Sequence, residues 1–62
     1  MLTPKELRSR RLALGMTGTD LATRLGVPES RIMEWEMGEQ PIEEPARLVE
    51  MLDTLERSRR SA

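Results

Sequence analysis

Apolar residues recur along this chain at helical spacing. Leu7, Arg11 and Leu14 share one face at i, i+4 and i+7. Leu21, Ala22 and Leu25 form a second short stripe, and Ile32 and Trp35 a third. Leu48, Leu52 and Leu55 make a fourth, with Val49 and Met51 beside it. No segment alternates with period two, and Phe and Tyr are absent. The pattern predicts an all-α chain.

Punctuation divides the stripes into four helices. Thr3, Pro4 and Glu6 predict a capped start to the first, with Glu6 completing a capping box, and Gly15 predicts its end. Thr17, Gly18, Thr19 and Asp20 repeat the Ser/Thr-x-x-acid start, and Gly26 closes that helix. The third begins at Pro28 with Glu29 in its first turn and closes at Gly38. A loop then leads to a last helix starting near Glu43, Glu44 and Pro45. Residues 1–56 form the expected domain. Residues 57–62 offer no apolar positions and are expected to fray as a basic tail.

The second and third helices, joined by a tight turn, predict a helix-turn-helix over residues 18–37. The geometry needs a small residue where the helices approach, which Ala22 supplies. It needs a turn residue tolerant of positive φ, which Gly26 supplies. It needs an apolar anchor on the second helix, which Ile32 and Trp35 supply.

With those residues in place the chain resembles the lambda-repressor/Cro-like family, also called the XRE family. The resemblance is carried by Leu7, Arg11, Leu14, Gly15, Met16, Thr17, Leu21, Ala22, Leu25, Gly26, Val27, Ile32, Trp35, Glu36, Gly38, Pro41 and Ile42. It implies a four- to five-helix bundle with a central helix-turn-helix. The implied function is sequence-specific regulation of transcription, usually by a homodimer on a palindromic double-stranded DNA operator. A chain of this size would act as a small repressor, occluding a promoter without an effector domain.

The resemblance also assigns residues. The second motif helix would enter the major groove and present Glu29, Ser30, Met33, Glu34 and Met37. Thr17, Gly18 and Thr19 would lie near a phosphate at the start of the first motif helix. Arg31 would flank the groove face and reach a phosphate or a base. Arg11 and Glu36 match a family ion pair that orients the recognition helix. Gly18 stands where family members commonly carry a Gln that bonds phosphate or supports a base-reading side chain.

Composition changes the picture at the reading surface. The chain has 62 residues and a net charge of -1, without the uniform basic footprint of most nucleic-acid binders. Glu can accept from cytosine N4 and Met can lie against a thymine methyl, but neither attracts phosphate. The framing cations are Arg8, Arg10, Arg24, Arg31 and the basic tail. Modest affinity with a small salt dependence follows. Glu29 has a second use in complementing a helix dipole. Met33 and Met37, flanked by Glu, also suit a protein partner. The alternative function is therefore a helix-turn-helix turned to protein binding, as an antitoxin or regulatory adaptor. Leu12, Val49 and Met51 are expected to form a dimer seam.

Other classes are disfavoured. The chain has no His and no Cys. It offers no disulfide, no usual zinc ligand, no catalytic nucleophile pair and no Gly-rich phosphate loop, so no cofactor and no enzyme activity are expected. No apolar run approaches the roughly 20 residues of a membrane span, and no apolar signal region follows the N-terminus. A cytoplasmic location is expected.

Overall fold

The computed structural model describes residues 2–60. Four helices run in order: α1 (Pro4–Ala13), α2 (Gly18–Leu25), α3 (Glu29–Glu36) and α4 (Pro45–Arg60). The fold is all-α, with α2 and α3 forming the helix-turn-helix.

Each helix starts where its local chemistry dictates. Thr3 Oγ1 accepts the Glu6 amide, and Pro4 occupies the first helical position of α1. Ahead of the cap, Leu2 is buried together with Leu7, which gives the hydrophobic staple of a helix entry. At α2 both halves of the capping box form: Thr17 Oγ1 accepts the Asp20 amide, and the Thr17 amide donates to Asp20 Oδ2. These bonds hold the Asp20 carboxyl below its usual range, the backbone bond from Thr17 contributing most. Pro28 caps α3 without a side-chain bond.

The α2–α3 turn depends on Gly26. Its φ is +71°, and the Val27 amide reaches back to the Ala22 carbonyl at 3.1 Å. This bond, with Gly26 N–H to Thr23 O, makes a Schellman ending. A Cβ at Gly26 would meet nothing within 4 Å, so only the backbone conformation demands glycine. Gly26→Ala is therefore expected to destabilise the domain by about 1–2 kcal/mol, the cost of a left-handed L-residue. Gly26→Asn should cost less, because Asn tolerates this conformation. Urea unfolding of the two variants checks the order. Equal losses would show that the turn is constrained by something other than φ.

Leu7, Leu21, Ile32, Leu48 and Leu52 are fully buried, and Leu2, Ala22 and Trp35 complete the core. All four helices thus contribute to one centre. Leu14 and Leu25 pack against it half-buried, and Leu55 is also half-buried. The Trp35 ring is in the core, but its Nε1 is buried without an acceptor among the described residues. Trp35 contributes area, not a hydrogen bond.

One expectation is corrected. Residues 57–60 do not fray from the bundle but continue α4. The helix is held over this stretch by polar links to α1 rather than by apolar contacts. Arg59 Nη1 donates to the Ala13 carbonyl at 2.8 Å, and Arg10 grips Asp53 and Glu56. Ser61 and Ala62, the rest of the expected tail, lie outside the described residues. The three residues expected at a dimer seam are placed differently from one another. Leu12 is exposed on α1, whereas Val49 and Met51 both pack against the core. At about 100° per residue, Val49 and Met51 stand roughly 200° apart on α4 and flank its buried stripe on opposite sides.

Candidate nucleic-acid interface

The sequence of α3 divides the helix lengthwise. Ile32 and Trp35 point into the core. Glu29, Ser30, Met33 and Met37 are exposed, and Glu34 is half-exposed. At about 100° per residue these five fall on one arc of roughly 140°. Every residue expected on the groove face therefore shares one face. Arg31 lies at its margin, where Nη1 pairs with Glu43 Oε1 at 2.7 Å and Nε lies 3.8 Å from Glu34.

This face is aimed by a buried ion pair. Arg11 on α1 donates from Nε and Nη2 to the two oxygens of Glu36, at 2.7 and 2.8 Å. The two side chains are 11% and 6% exposed, so the fork is shielded from water. Bonding to Glu36 raises the Arg11 pKa against the opposing effect of burial, and the guanidinium stays charged. A third bond runs from Arg11 Nη1 to the Met16 carbonyl. One side chain thus fixes the end of α3 and the turn before α2 relative to α1.

The start of α2 is arranged differently from a plain phosphate site. The polar groups of Thr17 are occupied by the capping box. The Thr19 hydroxyl donates to Glu29 Oε2 across the motif. Gly18 lies beside this bond. A Cβ there would stand 3.6 Å from Glu29 Oε2, 3.8 Å from Glu29 Cγ and 4.0 Å from Met33 Sδ. These are ordinary van der Waals distances, so α3 side chains line position 18 without excluding a Cβ there. Thr19, Gly18, Glu29 and Met33 form one continuous surface, whereas Thr17 belongs to the cap.

With this geometry in view, the comparison with protein families decides the class. The model of the helix-turn-helix domain family matches residues 5–61. The chain belongs to the helix-turn-helix domain family. The match agrees with the resemblance to lambda-repressor/Cro-like domains. No curated protein and no solved structure matches the chain. As a helix-turn-helix domain, the protein falls in a class whose general role is DNA-binding regulation and whose members are typically not enzymes. No helix among the described residues is long and apolar enough to cross a membrane.

Sequence reasoning missed three links, two at the helix-turn-helix and one between α1 and α4. The Thr19–Glu29 bond joins residues ten apart across the turn, and no local pattern announces it. Glu43, expected near the start of the last helix, pairs with Arg31 from the loop before α4. Arg10, counted among the framing cations, is spent on Asp53 and Glu56. Its pKa is raised first by the hydrogen bond to Glu56 and then by that to Asp53. Arg8 and Arg24 remain exposed.

Proposed function

We propose that this protein is a sequence-specific DNA-binding transcriptional regulator, a small cytoplasmic repressor that places residues 29–37 in the major groove. The carrying observation is the single exposed arc of Glu29, Ser30, Met33, Glu34 and Met37, held in place by the buried Arg11–Glu36 fork. A recognition helix needs this division between a locked inner face and a free outer one. A homodimer on a palindromic operator would double the contact area of a very small domain. Of the three residues expected at a phosphate, Gly18 and Thr19 would face the backbone through their main-chain amides, whereas the Thr17 amide is held by Asp20; the exposed Arg8 and Arg24 would supply charge.

The same arc favours one other reading. Met33 and Met37 are 47% and 67% exposed, and Arg31 is already paired with carboxylates. An acidic surface with two soft apolar side chains also fits a basic protein partner, as in an antitoxin or adaptor.

Titration of labelled duplex at two salt concentrations separates the readings. Few free cations border the site, so about two to four phosphate contacts are expected for each protomer. Affinity should then fall roughly 10- to 100-fold between about 50 and 200 mM salt, against about 10³- to 10⁵-fold for proteins making six to ten contacts. Absence of binding at every salt concentration would remove the DNA reading and leave the protein partner.

A further inference from the structure

Glu29 is an unusual residue for a DNA-facing surface, because a carboxylate repels phosphate and can only accept hydrogen bonds. Its setting shows what it is fit for. Oε2 is held by the Thr19 hydroxyl, and the chain above it lies over Gly18. Thr19 is fixed in turn within α2, where the Thr23 hydroxyl donates to its carbonyl. Oε1 accepts from no group among the described residues, and no cation pairs with Glu29 there. One oxygen is therefore anchored, and the other is without a partner among the described residues on an exposed side chain at the first residue of α3. The N-terminal residues of a recognition helix are those that meet base edges.

The four bases present different edges to an outward acceptor. Guanine shows N7 and O6, both acceptors, and repels it. Thymine shows the O4 acceptor and a methyl group. Adenine shows the N6 donor beside the N7 acceptor, which opposes a second carboxylate oxygen. Cytosine shows the N4 donor with no acceptor on its own edge in the groove. We propose that Glu29 is a base-reading residue that selects cytosine, and that Thr19 is the positioning residue that aims it. The inference rests on the DNA-binding reading above and gives that site its base preference.

The test is selection of bound sites from a random duplex library by the full chain and four variants, each first shown to be folded by circular dichroism. The wild-type chain should enrich a cytosine at one fixed place in each half-site. Exchanging that C·G pair for T·A should weaken binding by about 5- to 100-fold, the usual range for one mismatch. Glu29→Gln should move the preference to adenine, which a carboxamide can bond at N6 and N7. Thr19→Val should flatten the cytosine preference while leaving the rest of the consensus intact, and Thr19→Ser should restore it. A merely structural Thr19 would change overall affinity without changing that one base.

The failures are distinguishable. Enrichment of the same base at that place by Glu29→Ala overturns the role of Glu29 and leaves DNA binding standing. A shift with Glu29→Gln but none with Thr19→Val overturns the positioning role alone. No enrichment by the wild-type chain at any salt concentration overturns the DNA-binding reading, and the inference falls with it.

Discussion

Arg11→Ala is expected to destabilise the domain by about 3–5 kcal/mol, the range for breaking a buried ion pair from one side. Chains of this length have roughly 3–9 kcal/mol of stability in total, so most of it would be lost. The expected size follows from what the substitution leaves behind. The Glu36 carboxylate, 6% exposed, would lose its counter-charge and both of its hydrogen bonds. The Met16 carbonyl would lose its bond from Nη1 as well. Arg11→Lys should give an intermediate loss, because an ammonium cannot reproduce the two-pronged geometry. Arg11→Met combined with Glu36→Leu should recover much of the stability, since no uncompensated charge remains. Urea unfolding followed by circular dichroism and Trp35 fluorescence measures all four chains. A loss below about 1 kcal/mol for Arg11→Ala would show that water reaches the pair and that it does not aim α3. If the double variant is folded but binds DNA weakly, the pair acts mainly on orientation.

The parts of this fold legible in the sequence are those written locally. Thr3 and Thr17 mark helix starts because their hydroxyls bond amides three residues ahead. Gly26 marks a turn because one residue must take a positive φ. Leu7, Leu21, Ile32 and Leu52 mark the core because burial repeats with the helical period. The residues of the exposed arc of α3 came from the family resemblance instead, and the structure shows only that they share one exposed face. Leu2 was also readable in principle, as the apolar residue before a cap and five before Leu7, but its stripe has no period to announce it. The Arg10 cluster and the Arg59–Ala13 link were not readable. They join positions 43 to 46 residues apart and exist only once α1 and α4 lie side by side. Because they hold α4 on polar contacts, the end of the apolar pattern at Leu55 did not mark the end of the helix. The orientation of Glu29 was hidden for a related reason. Whether a first-turn carboxylate serves its own helix dipole or bonds a neighbouring helix depends on the turn that brings Thr19 within reach.

Ile32→Ala is expected to cost about 2–5 kcal/mol, and Met33→Ala, one residue further on, to change stability by no more than about 0.5 kcal/mol. Ile32 has no exposed surface and stands in the core with Leu7 and Leu21, so truncation removes apolar burial and opens a cavity between three helices. Met33 is 47% exposed on the outer arc, and truncation there removes a side chain that reaches mostly into solvent. For a domain of 60–100 residues each kcal/mol moves Tm by about 4–8 °C. Ile32→Ala should therefore lower Tm by roughly 10 °C or more, and Met33→Ala by less than about 4 °C. Ile32→Val should fall between them, at about 0.5–1.5 kcal/mol. Ligand binding should respond in the opposite order. At a temperature where both proteins are folded, Met33→Ala should alter duplex affinity or base preference, while Ile32→Val should leave both unchanged. Equal thermal shifts at the two positions would mean that α3 is not divided into an inner and an outer face. The proposed recognition role of the arc, the orientation given by the Arg11–Glu36 fork and the proposed base reading by Glu29 all depend on that division.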